Sequence, residues 1–340
     1  MAGRPKPAPP EESVDAANRG AGPAWMRRRV AASEPITARS IALFRLGEIC
    51  NNACPMCSNS GRPAAFLTPT ATLLDRANWL HAQGIRRVVL TGGEPTIHPG
   101  FWQVVDRLNE LGLTWDINSH GRSFASSDFA WRAIAEGLQR AIISLHSHDA
   151  EIALQISGVR AGAHDQTVSG VRNLVEGGVW VMLNCVISRL NIASLGEWVR
   201  WCADEFGDGI VLKIAFPTTI GHGGEWPEIH LPLDALADPI AAVRAAADET
   251  GVRVAWESVP NCVLGDVAAG DFSRSGFGET HYLDDLVGDR LYPIRHIEAE
   301  LSVYPTTCRG CRALTVCPGV SPAYVNEFGT AALRPFAPIG

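Results

Sequence analysis

Seven of the nine cysteines fall into two groups whose spacing suits metal chemistry. The first group, Cys50, Cys54 and Cys57, lies on the segment Gly47-Glu48-Ile49-Cys50-Asn51-Asn52-Ala53-Cys54-Pro55-Met56-Cys57. Its spacing, Cys-x3-Cys-x2-Cys, puts three thiolates on one loop. A cubane of four irons and four sulfides has four corners, so three thiolates leave one iron open to a further ligand. The competing readings are a zinc site or an accidental trio. Zinc wants a fourth ligand nearby, and none lies close in sequence. The second group is Cys308-x2-Cys311-x5-Cys317-Pro318-Gly319-Val320, preceded by Cys262 in Val259-Pro260-Asn261-Cys262. A Cys-x2-Cys pair can grip one metal centre from a single turn, and the other two can complete its coordination. Four thiolates also make a structural zinc site. Cys185 and Cys202 stand alone inside apolar segments and read as small buried hydrophobes.

A second motif follows the first. Val88-Val89-Leu90 runs into Thr91-Gly92-Gly93-Glu94-Pro95. Two glycines allow a close backbone approach, and Pro95 fixes the exit of the turn. Glu94 then places a carboxylate at a strand end, ready to accept a hydrogen bond from an ammonium group.

The elements that must position these residues show as alternating patterns. Short, nearly continuous apolar runs occur at Ile41–Leu46, Val88–Leu90, Leu113–Ile117, Ala141–Leu145, Val179–Ile187 and Ile210–Phe216. Helical spacing separates them, for example over Thr72–Gln83, Phe101–Leu111, Val168–Val175 and Leu195–Phe206. Apolar strands alternating with helices predict an α/β fold, a partial (β/α)6 TIM-like barrel covered on both faces. A further helix, Leu233–Glu249, leads to a short strand, Val252–Trp256. The expected division is a flexible leader over 1–36, a barrel over 37–257 and a small cysteine-rich C-terminal domain over 258–340. Within the last, the stretch 265–304, with Arg274, His281, Asp284, Asp285, Arg295 and His296, reads as a loop near the cavity mouth.

The cysteine triad followed by Gly-Gly-Glu-Pro resembles the radical S-adenosylmethionine (SAM) superfamily, over about residues 38 to 330. The resemblance implies that the open iron chelates the amino and carboxylate groups of SAM. It implies that electron transfer then releases methionine and a 5′-deoxyadenosyl radical. Gly92, Gly93, Glu94 and Pro95 match the segment that holds the SAM amino group. Met56 stands where the family usually has an aromatic residue beside the adenine. By strand position, Asn118, Ser144, His146 and Asn184 would meet the SAM carboxylate and ribose. Lys213, on the sixth strand, either lines the cavity or snorkels outward. The C-terminal cysteines are similar to twitch or shortened SPASM regions, which implies an auxiliary [4Fe-4S] cluster beside the SAM-binding one. They do not match the full seven-cysteine SPASM pattern, so no third cluster is expected.

The implied activity is hydrogen-atom abstraction from an unactivated carbon, with peptide modification as the leading expectation and a small-metabolite dehydrogenase or rearrangement enzyme as the alternative. A zinc or iron–sulfur regulatory protein is the non-enzymatic reading. An electron donor such as flavodoxin or ferredoxin is implied as a partner. The sequence singles out no catalytic acid or base. Acidic residues number 36 against 29 basic ones, a net charge of -7, which gives no general attraction to nucleic acid or anionic lipid. No run has the length of a transmembrane helix and the N-terminus lacks a signal-peptide core, so a cytoplasmic location is expected, where thiols stay reduced.

Overall fold

The computed structural model describes residues 36–57, 66–217, 224–267, 279–284, 290–294 and 301–337. The expected leader, apart from Ile36, lies outside the described residues, as do Arg274, Asp285, Arg295 and His296 of the stretch near the cavity mouth.

Seven strands follow one another in parallel: β1 (Ser40–Arg45), β2 (Arg87–Thr91), β3 (Thr114–Ser119), β4 (Arg140–Ser144), β5 (Trp180–Val186), β6 (Val211–Ala215) and β7 (Arg253–Glu257). The sheet is wider than six strands. Beyond β1 it continues with β8 (Glu279–Asp284), also parallel, and β9 (Arg290–Pro293), antiparallel to β8. The order β7-β6-β5-β4-β3-β2-β1-β8-β9 leaves two edges, so the sheet is an open, curled partial barrel. The segment after residue 257 thus supplies two strands that its weak periodicity did not announce.

Helices cover the convex face. They are α1 (Thr70–Ala82), α2 (Phe101–Glu110), α3 (Ser127–Ala135), α4 (Ala150–Ser157), α5 (Ala163–Glu176), α6 (Leu195–Phe206) and α7 (Ala237–Thr250). Each buries one stripe at helical spacing. In α2 the buried set is Phe101, Val104, Val105 and Leu108, and in α6 it is Leu195, Trp198, Val199, Cys202 and Phe206. Asp149 caps α4 by accepting from the Glu151 and Ile152 backbone N–H groups. Cys185 and Cys202 are fully buried in this layer, as their apolar neighbours predict.

Strand alternation then sets the concave face. Ala141 and Ile143, Leu183 and Cys185, and Leu212 and Ile214 are fully buried against helices, while Ile142, Ser144, Asn184 and Lys213 between them line a central cavity. The register places Ser144, Asn184 and Lys213 side by side across three strands.

The rim is held by contacts that only glycine permits. Gly93 N–H donates to Gly47 O at 2.8 Å, and Glu94 N–H to Ile49 O at 2.8 Å. A Cβ on Gly93 would stand 2.3 Å from Ile49 O and 2.4 Å from Glu48 O. Those neighbours are backbone and cannot rotate away. Gly112, by contrast, has φ +67 with nothing within 4 Å. Gly93→Ala should therefore cost about 3 kcal/mol or more, whereas Gly112→Ala should cost about 1–2 kcal/mol from its left-handed backbone alone. Urea unfolding of the two variants checks this order.

Candidate active site

Two loops build the centre of the site. The loop after β1 carries Cys50, Cys54 and Cys57, and the turn after β2 carries Gly92, Gly93 and Glu94. All six line one cavity of about 360 Å3 at the C-terminal ends of the strands, a size suited to a small-molecule ligand. Asn118, Ser144, His146 and Asn184 line the same cavity. Met56 and Pro95 do not. Met56 is half-buried in the loop, and Pro95 opens the short helical turn that Glu94 caps. Ten of the twelve residues assigned by sequence to the cluster loop and the SAM contacts therefore share one space. Lys213 lines the cavity rather than snorkelling outward, and it forms an ion pair with Glu257 at the end of β7.

Burial first, and neighbouring charges second, hold Cys50 and Cys54 away from ionisation. Burial is the main cause that raises Cys54, to about 12, and Cys57 and Cys50 add to it through their charges. Cys50 is raised chiefly by burial as well, with Glu94 and Cys57 contributing. Cys50 and Cys54, held so in one cavity with a third cysteine, call for a cation among them. Among the described residues no three His, Cys, Asp or Glu side chains are placed to hold a single metal ion. Sulfurs on one zinc sit about 2.3 Å from it. Thiols that share a cavity without meeting at one point suit a larger, multi-atom centre.

Glu94 is 1% exposed and already engaged. Its Oε1 accepts from Thr96 N–H, Thr96 Oγ1–H and Ser119 Oγ–H, at 3.1, 2.6 and 2.9 Å. Oε2 accepts from His120 N–H at 2.9 Å and faces His120 Nε2 at 3.4 Å. The carboxylate thus ties β2 to the end of β3 first, and Oε2 keeps the capacity to meet a ligand.

The orphaned atoms point to what the cavity holds. Asn118 Oδ1 and Asn184 Oδ1 are buried acceptors with no partner among the described residues, an arrangement costly to leave unsatisfied. SAM carries an ammonium, hydroxyls and an adenine amine, donors that fit such acceptors. His146 is fully buried, and its Nδ1 accepts from Val186 N–H at 3.2 Å. The ring proton therefore sits on Nε2.

Sequence reasoning missed the clamp on the cysteine loop. His120 Nε2 meets Asn51 Oδ1 at 2.6 Å, Arg122 Nη1 donates to Asn51 O and Asn52 Oδ1 at 3.1 and 2.9 Å, and Ala53 N–H donates to Ser157 O at 3.1 Å. Gly158, with φ +62, lets the end of α4 approach Ala53 O, which a Cβ would meet at 2.1 Å. Only the polar run Asn118-Ser119-His120 hinted at this side of the site.

The second cysteine group gathers separately. Cys262, on the short helix α8 (Asn261–Leu264), lines a small, mostly apolar cavity with Cys308, Cys311 and Cys317. Burial leads in raising Cys308, to about 12, and Cys262, Cys317 and Cys311 add to it in that order. The bridged pair Val303 and Val320 lines this cavity, and the helix α9 (Pro322–Phe328) follows it in the chain. Tyr324 of α9 accepts a hydrogen bond from Leu233 N–H at 3.0 Å and packs edge-on against Phe216, docking the unit on the barrel.

An open α/β barrel with a three-cysteine loop at its C-terminal rim defines an enzyme that pairs an iron–sulfur cluster with a small ligand. Residues 44–202, just under half of the chain, match the Radical SAM superfamily and form a radical SAM domain. The family's cofactors are a [4Fe-4S] cluster and SAM. The chain is 28% identical over 220 residues to "Probable GTP 3',8-cyclase" of Sulfurisphaera tokodaii, covering 63% of this chain and 67% of that protein. It is 32% identical over 157 residues to the protein of the same description from Saccharolobus islandicus strain M.14.25, covering 46% of this chain and 50% of the relative. The matches thus span from half to two thirds of these relatives. Among solved structures, Streptococcus suis SuiB bound to S-adenosylmethionine shares the fold, with a TM-score of 0.60 and 13% identity over 90% of this chain and 77% of SuiB. The SuiB complex with precursor peptide SuiA gives 0.60 at 15% identity, covering 90% and 76%. anSMEcpe with bound AdoMet and Kp18Cys peptide gives 0.52 at 10%, covering 78% and 74%. No helix among the described residues is long and apolar enough to cross a membrane.

Burial pushes His146 down from 6.5 to about 4. Above 6.5 it is neutral in both folded and unfolded chains. As the pH falls toward 4, the unfolded chain takes up a proton that the folded one refuses, so stability drops. Between pH 7 and pH 5 the cluster-free chain should lose about 2 kcal/mol through this residue. Urea unfolding at the two pH values should show a smaller loss for His146→Asn.

Proposed function

We propose that Cys50, Cys54 and Cys57 hold the SAM-binding [4Fe-4S] cluster, that SAM lies in the central cavity, and that the substrate is a ribosomally made peptide. The carrying observation is the single cavity that joins this cysteine loop to the orphaned acceptors Asn118 Oδ1 and Asn184 Oδ1. When bound, the reduced cluster and SAM supply a carbon-centred radical that abstracts hydrogen from substrate. The chain's own residues bind and orient. Asn118 and Asn184 would accept hydrogen bonds from SAM, Glu94 would be available to its ammonium, and His146 would offer a neutral Nε2–H. The barrel, over 37–257, excludes water around the reacting atoms. The region 258–340 lends β8 and β9 to the barrel's sheet, and its Cys262, Cys308, Cys311 and Cys317 would hold an auxiliary [4Fe-4S] cluster. With four thiols in that cavity, direct ligation of substrate is disfavoured, and electron transfer or bracing remains. A cytoplasmic location with a flavodoxin or ferredoxin as donor fits this chemistry.

A small-metabolite reading has its own support, since the curated relatives are described as GTP 3',8-cyclases. The charge of the cavity speaks for the peptide. Among the described residues lining it, the cation is Lys213, and Glu257 meets its charge. A nucleoside triphosphate needs several cations to offset its own charge, whereas a paired Lys and Glu suit the donors and acceptors of an amide backbone.

Formation of 5′-deoxyadenosine from SAM under reducing conditions tests the reading. Replacing Cys50, Cys54 and Cys57 by Ala should abolish SAM cleavage while iron remains on the C-terminal cysteines; surviving cleavage overturns the assignment. GTP should neither bind at millimolar concentration nor raise 5′-deoxyadenosine formation. A GTP-dependent rise would transfer the assignment to the small-metabolite reading.

A further inference from the structure

One buried residue touches both the turn after β2 and the cysteine loop. His120 follows directly on β3. Its backbone N–H donates to Glu94 Oε2 at 2.9 Å. Its ring Nδ1 accepts from Arg122 N–H at 3.2 Å, so the ring proton sits on Nε2. Nε2 lies 2.6 Å from Asn51 Oδ1 and 3.4 Å from Glu94 Oε2, and the shorter contact takes the hydrogen. His120 O in turn accepts from Thr167 Oγ1–H on α5 at 2.9 Å, which fixes the residue to a helix. Asn51, next to Cys50, is exposed and does not line the central cavity. A contact with Asn51 therefore acts on the cysteine loop and not on anything held in the cavity.

We propose that His120 is a positioning residue for SAM: it fixes the spacing between the Glu94 carboxylate and the loop of Cys50, Cys54 and Cys57, so that the SAM amino group can meet both. The proposal rests on the reading of those cysteines as cluster ligands and of Glu94 as the partner of that amino group. On this reading the amino group has two partners on different segments, an iron carried by the cysteine loop and a carboxylate after β2. Two attachment points bind one group tightly only when they are held at the right separation, to about 0.5 Å, because ordering them on binding costs affinity. The backbone bonds from Gly93 and Glu94 hold the loop at Gly47 and Ile49, ahead of the first cysteine. His120 supplies a tie beyond Cys50, from the same residue whose backbone N–H sets Glu94 Oε2.

The test compares SAM affinity in variants that keep the role of one ring nitrogen and lose the other. In His120→Gln the side-chain amide extends about as far as Nε2 and can still donate to Asn51 Oδ1. In His120→Asn the side chain ends near the place of Nδ1, so it can accept from Arg122 N–H but cannot reach Asn51. Both leave the backbone N–H on Glu94. Equilibrium dialysis of labelled SAM against the anaerobically reconstituted full-length chain gives the dissociation constant, and omitting the reductant leaves SAM uncleaved. His120→Asn should weaken SAM about 10-fold or more, while His120→Gln stays near wild type at equal iron content. Asn51→Ala removes the acceptor outside the cavity and should weaken SAM by a similar factor, with little further loss when combined with His120→Asn. Equal affinities in His120→Gln and His120→Asn overturn the proposal. So does the reverse order, which would assign the ring to holding the turn at Arg122. If either His120 variant fails to load iron, Asn51→Ala decides alone: wild-type affinity overturns the proposal, and a loss of about 10-fold or more supports it. SAM binding that is unchanged when Cys50, Cys54 and Cys57 are replaced by Ala sinks the cluster reading instead, a failure visible before any His120 variant is compared.

Discussion

The site depends on one close approach of backbone to backbone. The loop after β1 and the turn after β2 meet through Gly93 N–H to Gly47 O and Glu94 N–H to Ile49 O. The approach leaves no room for a Cβ at Gly93, and a Cβ at Gly92 would stand 2.4 Å from Gly47 O. The two glycines thus serve the cysteine loop before they serve any ligand. Once that loop is fixed to β2, Glu94 is buried by the same contact, and its carboxylate can collect the N–H and O–H groups at the end of β3. Gly158 performs the equivalent service at the loop's far side, against Ala53.

Such a loop has an electrostatic consequence. Burial holds the Cys50 and Cys54 thiols back from ionising, and the described groups nearest them are mostly dipoles rather than cations. Backbone N–H groups, the Asn52 amide and neutral histidines surround the site, with Arg122 set behind Asn52. Dipoles fixed by the fold stabilise charge without attracting polyanions from solution. The same economy holds across the cavity, where Lys213 is balanced by Glu257. A centre of thiolates is therefore stabilised locally, while the described residues lining the cavity offer no strong positive field.

Legibility in the sequence followed periodicity. The six apolar runs became β1 to β6 because each has a helix layer on one face and a cavity on the other, so the runs are nearly continuous, and polar residues on them such as Ser144, Asn184 and Lys213 mark the concave side. The triad and Gly-Gly-Glu-Pro were legible because both chemistries need fixed spacing within one loop. What could not be read were contacts between distant segments. Arg122 on Asn52 and His120 on Asn51 join residues about 70 apart in sequence, and no local pattern encodes such a pair. The strands β8 and β9 escaped notice for a related reason. β8 joins the sheet by pairing with β1, more than 200 residues earlier, in a stretch where apolar alternation is weak.

The chain's connection between its two thiol cavities carries the last constraint. Glu257 lines the central cavity and Pro260 the second, and Ser258 between them has φ 60, a turn in the left-handed region. Three residues span at most about 11 Å even when extended. The wall of the central cavity that lies beyond the proposed SAM contacts is therefore the same stretch of chain that enters the C-terminal cysteine unit. In the proposed reading, a substrate held against Lys213 and Glu257 would share the cavity with the cysteine triad, and the second thiol group follows a short distance along the chain.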